Sequence, residues 1–206
     1  ASLHVGSVAT PRRRLAADLT VVAAGCWTPR LLPELADRLR PVAQVVLHFR
    51  PDDPGSWRAP RFTAWAADIA ETGWYGFPAN ADGVVKIANH GVGLSVDPDG
   101  DRAVPEDAER RFRAFLVEHL PALAEAPCVT KRLCFYCDSF DGDFLIDRHP
   151  DRDDLMVASG GSGHGFKFAP VLPALIAAAV EGHPERRFRW RQLGDGRTER
   201  ARSSSG

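Results

Sequence analysis

Asp154-Leu155-Met156-Val157-Ala158-Ser159-Gly160-Gly161-Ser162-Gly163-His164-Gly165-Phe166-Lys167-Phe168 decides the fold, because a strand, a glycine turn and a helix meet there. Leu155 to Ala158 is a short apolar run that reads as a buried strand. The four glycines within residues 160–165 let the backbone take positive φ and approach a planar ligand with no Cβ in the way. Val171 to Val180 then reads as an apolar helix that Gly182 can end, with Pro170 or Pro173 in its first turn. A helix start offers unpaired N–H groups and partial positive charge, which suit an anion or a ring that becomes anionic. A tight strand-to-helix turn without a ligand is the plainer explanation of such a cluster. His164 and Lys167 inside the turn favour the functional one. Of 26 Lys and Arg residues only Lys86, Lys131 and Lys167 are lysine, so a compact ammonium stands where the chain otherwise uses arginine.

The 206 residues suffice for one sizeable domain or two small ones, and 44% hydrophobic with 26% charged residues is ordinary for a globular protein. A net charge of −1 gives no global attraction to nucleic acid. From His183 onward seven Arg stand against Glu185, Asp195 and Glu199, which reads as a solvated tail. No apolar run approaches the ~18–20 residues of a membrane span, and no signal peptide opens the chain. Four cysteines do not make a disulfide scaffold. The expectation is a soluble, cytoplasmic protein.

Upstream, Leu19 to Gly25 reads as a strand, Gly25 to Pro29 as a turn, and Arg30 to Leu39 as a short helix closed by Pro41. Pro41 to Phe49 is a further strand. Phe62 to Ile69, Trp74 to Phe77 and Gly83 to His90, separated by turn formers, predict an antiparallel meander. Alternation on the last of these puts Lys86, Ala88 and His90 on one face, so two titratable nitrogens lie together. Pro105 to Leu120 predicts an amphipathic helix whose Phe112, Phe115, Leu116 and Leu120 are core rather than cofactor contacts. Pro121 and Pro127 bracket a linker, Val129 to Tyr136 is a strand, and Phe144 to Asp147 reads as its hairpin partner across Asp141-Gly142-Asp143. Cys128, Cys134 and Cys137 include a CxxC. On an extended strand Cys134 and Cys137 point to opposite faces, so zinc or a redox pair is a weak reading beside that of buried thiols. Cys134 and Tyr136 do share a face.

Leu133-Cys134-Phe135-Tyr136, Phe144-Leu145-Ile146-Asp147-Arg148-His149-Pro150 and Gly161-Ser162-Gly163-His164-Gly165-Phe166-Lys167-Phe168, preceded by Trp74-Tyr75-Gly76-Phe77-Pro78 and Lys86-Ile87-Ala88-Asn89-His90, occur in one order. Together they resemble the C-terminal half of the monomeric sarcosine oxidase and N-methyltryptophan oxidase family of FAD-dependent amine oxidases, over roughly Leu19 to Arg189. The resemblance implies a flavin thioether at Cys134 and an oxygen-activating lysine at Lys86. It places His90 beside substrate and flavin, and Lys167 and Tyr136 at the substrate carboxylate. Gly161, Gly163, His164 and Gly165 fall at the flavin edge. Implied with them is oxidation of a C–H bond next to an amine nitrogen, water hydrolysing the imine and oxygen reoxidising FAD to give hydrogen peroxide. The partners implied are a small amine or amino acid and oxygen.

The implied fold is α+β: an antiparallel substrate-binding sheet (41–150) with parts of an FAD-binding α/β domain at 1–40 and 151–190, and a disordered tail at 191–206. The family's phosphate-binding G-x-G-x-x-G turn and the arginine that would partner Lys167 have no counterpart here. The expectation is that a missing N-terminal half, or another chain, supplies them, and that the incomplete parallel sheet exposes an apolar edge. Cys137 also departs from the pattern. A non-catalytic partner-dependent module, or a related flavin dehydrogenase using another acceptor, stands as the alternative function. Substrate identity turns on pocket side chains, for which Trp65, Trp74 and Tyr75 are candidates.

Overall fold

The computed structural model describes residues 2–69 and 71–191. A three-strand meander opens the chain: β1 (Ser2–His4), β2 (Ser7–Ala9) and β3 (Arg14–Ala16). Its strands are too short for alternation to be read from sequence. Next come β4 (Thr20–Val22) and α1 (Thr28–Leu31). The expected helix over Arg30 to Leu39 is not formed. Pro33 interrupts it, a separate 3-10 turn spans Pro33–Leu35, and Pro41 lies inside the next strand, β5 (Leu39–Phe49). The meander follows as β6 (Trp65–Ala67), β7 (Trp74–Phe77) and β8 (Val85–Asn89), then β9 (Leu94–Ser95). α2 (Ala108–His119) leads directly to α3 (Pro121–Ala124), a helical turn where a plain linker is expected. Pro121 sits at its first turn, where no N–H is required. The chain closes with β10 (Cys128–Ser139), β11 (Leu145–His149), β12 (Arg152–Ser159) and α4 (Leu172–Val180). The tail expected to be disordered lies, from residue 192, outside the described residues.

The chain divides into two compact units, whose described residues are 2–42 with 135–191, and 43–69 with 71–134. In the second, the sheet runs β10-β5-β8-β7-β6. β5 and β8 pair antiparallel with Leu47 opposite Ile87 and Phe49 opposite Val85. Those four side chains face α2, where Phe112 and Leu116 complete a fully buried core. Phe112, Phe115 and Leu116 are therefore packing residues, as helical spacing predicts. Trp74 stacks on Phe115 at 4.2 Å between ring centroids, and Trp65 lies parallel to the same ring at 5.9 Å.

In the first unit the sheet order is β11-β12-β4. β11 pairs with β12 across the Pro150-Asp151 turn, so Phe144 to Asp147 is not the hairpin partner of the preceding strand. Both candidate partners of this segment are apolar and both connections hold turn formers, so local signals do not separate them. Asp141 and Asp143 lie in the turn the sequence predicts, where Asp143 N–H donates to Asp141 Oδ1, and they are also buried anchors for Arg191 and Arg187. α4 covers one face of this sheet through Ala179, against Ile146 and Met156. Leu155 and Val157 alternate to the other face, with Val22, Leu35 and Cys137.

Candidate functional site

Chemistry-bearing residues fall in both units, and each is described within its own. In the first, β12 and β4 run parallel, with Leu155, Met156 and Val157 opposite Thr20, Val21 and Val22. Their carboxyl ends therefore coincide, one continuing into Ala23 to Gly25 and the other into Gly160 and Gly161. In open parallel sheets this is where ligands bind. A cleft of about 290 Å³ lies there, lined by Ala23, Gly25, Ser159, Gly160, Gly161 and Gly165 with apolar neighbours. The small residues at the strand ends leave the backbone open on that side, while Phe144, Ile146, Leu172 and Ile176 supply the apolar walls.

The glycine turn is held rigidly on both sides. Ser162 N–H donates to Cys137 O (3.0 Å), Ser139 N–H to Ser162 Oγ (3.1 Å), and the amides of His164 and Gly165 both donate to Gly161 O (2.8 and 3.0 Å). Gly163 has φ +74°, and a Cβ there would sit 2.4 Å from Tyr136 Cε2, so the tyrosine ring lies flush on the turn. His164 Nδ1 is 3.1 Å from Ser162 O. A carbonyl only accepts, so Nδ1 carries a hydrogen and donates it. Lys167 is exposed, its Nζ 5.3 Å from the Phe168 ring centroid. The structure thus joins Tyr136, Gly161, Gly163, His164 and Gly165 in one place and leaves Lys167 at its rim. One expectation is corrected: the glycines do not open directly onto the helix. A 3-10 turn, Gly165–Phe168, intervenes and α4 begins only at Leu172, so its N-terminal N–H groups do not belong to the glycine turn.

Behind the turn, a buried chain of polar side chains ties strands together: Thr28 Oγ1 lies 3.0 Å from Ser159 Oγ, which donates to Cys137 Sγ at 3.5 Å. Burial, the largest influence, pushes the Cys137 thiol above its ordinary value, partly offset by the Ser159 bond. Cys137 is a packed thiol, not a reactive one.

In the second unit, Lys86 stands on the sheet face turned away from α2. It lies opposite Phe77 on β7 and His48 on β5, and Ala88 lies opposite Tyr75 and Val46. Its Nζ is 5.0 Å from the Phe77 ring centroid and 5.1 Å from that of Tyr75. Such placement over aromatic faces holds an ammonium by cation–π attraction. His90 follows the last residue of β8, its N–H donating to Gly73 O at 2.7 Å. Cys134 is half-buried on β10. Of the three aromatic candidates for a pocket wall, only Tyr75 is on the Lys86 face. Trp65 and Trp74 are on the α2 side, where with Phe115 and His119 they line a separate cleft of about 690 Å³. Phe77 and His48 were not singled out from sequence, although His48 interrupts an apolar run, Val45-Val46-Leu47-His48-Phe49. Among the described residues no group of three or more His, Cys, Asp or Glu is placed to hold a metal ion. No described helix is long and apolar enough to cross a membrane.

Comparison with known proteins shows the family of the chain. The model of the family described as FAD dependent oxidoreductase (DAO) matches residues 3–179. Monomeric sarcosine oxidase of Bacillus sp. (strain NS-129) is 32% identical over 177 residues, covering 83% of this chain and 45% of that protein. N-methyl-L-tryptophan oxidase of Salmonella heidelberg (strain SL476) is 36% identical over 166 residues, covering 78% and 43%. Among solved structures, fructosyl amine: oxygen oxidoreductase (Amadoriase I) from Aspergillus fumigatus superposes with a TM-score of 0.74 at 30% identity, over 87% of this chain and 44% of that one. The chain spans less than half the length of these relatives.

Proposed function

We propose, from the premise that this chain belongs to the FAD dependent oxidoreductase family, that it forms part of an enzyme oxidising a secondary or N-methyl amino acid with oxygen as acceptor. In this reading residues 1–40 and 151–190 contribute to the FAD-binding domain and 41–150 to the substrate side. The observation that carries the reading is the glycine turn at the coincident carboxyl ends of β4 and β12, with its small-residue cleft. Bulky side chains at Ala23, Gly25, Gly160, Gly161 or Gly165 would fill that space, so the residues present fit a flavin nucleotide, and they are the ones that would hold it. FAD supplies, when bound, a two-electron acceptor for a hydride equivalent and the route of those electrons to oxygen.

The chain's own residues then have distinct tasks. Lys86 places a fixed positive charge where negative charge develops on oxygen, a preorganised contribution that requires no reorganisation during the step. Lys167 pairs with the substrate carboxylate, and Tyr136, fixed by its packing on Gly163, walls that end of the pocket. His90 lies beside the amine. The turn of Gly161, Gly163, His164 and Gly165 orients the ring edge, and Cys134 bonds it through sulfur. Comparison with the sarcosine and N-methyltryptophan oxidases supports an amine substrate carrying a carboxylate.

The test uses the whole protein. After acid denaturation, flavin is expected to stay with the polypeptide in the natural sequence and to be released in Cys134→Ser. Flavin that stays bound in Cys134→Ser removes the thioether from this cysteine. In rapid mixing, Lys86→Met is expected to slow reoxidation by oxygen more than reduction by amine, and equal effects on both would remove Lys86 from oxygen activation.

A further inference from the structure

The Lys86 face carries a second titratable group with no assigned task. His48 on β5 is the register partner of Lys86 on β8, and Lys86 is the partner of Phe77 on β7, so the three stand in one row across three strands. The β5 neighbours of His48 on either side, Leu47 and Phe49, are fully buried. Its own Nδ1 is shut off from solvent and has no hydrogen-bond partner among the described residues. A buried polar nitrogen left unpaired is destabilising, and a position needing only packing would be better served by an apolar ring.

The neighbours say what could satisfy that nitrogen. With its hydrogen on Nε2, the neutral imidazole presents Nδ1 as an acceptor, whereas the ammonium of Lys86 offers three donors and no acceptor. The ammonium lies over the β7 rings of Tyr75 and Phe77. One water accepting from Lys86 Nζ and donating to His48 Nδ1 would complete both groups. The charged groups that act on His48 are Lys86 from β8 and Arg132 from β10, and both are cations. The ring face of Tyr75 on β7 lies under the Lys86 ammonium. Burial first, then Arg132 and Lys86, hold the imidazole below its ordinary value, which keeps it neutral and accepting near neutral pH.

We propose that His48 is a positioning residue for Lys86: a neutral imidazole that fixes the ammonium through one bridging water and makes the charge of this sheet face depend on pH. The proposal rests on the reading of Lys86 as the oxygen-activating lysine. Below the titration of His48, Nδ1 no longer accepts, the bridge is lost, and two like charges face each other across the strand pair.

The first experiment needs no flavin. The His48 ring resonances of this chain, assigned by their loss in His48→Phe, are followed against pH by NMR. The midpoint is expected below the ordinary histidine value of 6.5, with hydrogen on Nε2 above it, and to move upward when Lys86→Met removes one of the two cations. A midpoint at or above 6.5, or one unmoved by Lys86→Met, overturns the proposal. The second experiment follows reoxidation against pH in the flavin-loaded whole protein. His48→Phe is expected to slow the step about fivefold, the loss of one neutral hydrogen bond, and to abolish its acid limb. His48→Asn, whose Oδ1 can take the place of Nδ1, is expected to restore the rate without the limb. An acid limb that persists in His48→Phe refutes the role. Flavin that never binds would instead overturn the proposed function, while the NMR titration still decides whether His48 and Lys86 are coupled.

Discussion

Replacing Gly163 by alanine tests the best-defined packing contact of the glycine turn. Two separable penalties follow from the geometry. The first is conformational: at φ +74° an L residue is in the left-handed region, which costs ~1–2 kcal/mol. The second is steric. The new Cβ would lie 2.4, 2.6 and 2.8 Å from Cε2, Cδ2 and Cζ of Tyr136, well inside the ~3.5–4.0 Å of an ordinary carbon contact. Ring and turn must separate, and overpacking of this kind costs ~1–3 kcal/mol. The sum is a loss of ~2–5 kcal/mol, read as the shift of a urea-unfolding midpoint at unchanged slope. A double-mutant cycle divides it. In a Tyr136→Ala background the ring atoms are gone, so Gly163→Ala should retain only the conformational ~1–2 kcal/mol, a coupling of ~1–3 kcal/mol. Gly182→Ala supplies an internal control, because its φ is +85° and nothing lies within 4 Å of the added carbon, leaving the conformational penalty alone. The reasoning is refuted if Gly163→Ala is no worse than Gly182→Ala, or if its penalty is the same with and without the Tyr136 ring.

Two further substitutions probe the first unit. Arg191 donates through Nη2 and Nε to Asp141 at 2.5 and 2.6 Å, and also to the carbonyls of Phe144 and Asp143, with the two side chains 14% and 3% exposed. Arg191→Ala strands a buried carboxylate and should cost ~3–5 kcal/mol in chemical denaturation, and Arg191→Lys should recover less than half, since a point charge cannot bridge both oxygens. Val21 is 40% exposed on β4, an edge of its sheet among the described residues. Val21→Lys should lower self-association of this chain in light scattering over a concentration series, and unchanged association would mean that the β4 edge is not the contact.

What could be read from the chain depended on how local the deciding interaction is. Helical spacing placed Phe112 and Leu116 in the core, and alternation put Lys86 and Ala88 on a common face, because both patterns need only neighbours in sequence. His90 lies one residue past the strand on which alternation could place it. Choosing between β10 and β12 as partner of β11 is a non-local decision, and the turn chemistry at Asp141-Gly142-Asp143 argued for the wrong one. Those aspartates serve Arg187 and Arg191, more than 40 positions away, as the hydrogen bonds from Arg187 Nε and Arg191 Nε show. The glycine cluster is legible as a tight turn, and the structure gives one physical reason for it: only glycine tolerates Gly163's conformation against Tyr136. The helix itself falls within one residue of the expected Val171 to Val180, but the 3-10 turn at Gly165–Phe168, which leaves no periodic signature, separates its start from the glycines. His48 lies within an apolar run, a pattern that identifies the strand without saying why one member is polar.

The rarity of lysine is not by itself a functional signal. Lys131 on β10 forms an ion pair with Glu109 of α2 at 2.6 Å, and arginine there would serve nearly as well. What separates Lys86 is its environment. It has no carboxylate partner among the described residues, and its charge is held by the faces of Tyr75 and Phe77 and bordered by an imidazole that is kept neutral. A cation neutralised by a carboxylate has little field left for a third charge, whereas aromatic faces hold it without cancelling it. A site that must meet negative charge only transiently needs the second arrangement, since a permanent counterion would have to be displaced at each turnover. Lysine suits that position better than arginine because its compact ammonium meets both ring faces as a point charge, while a planar guanidinium would stack on one of them.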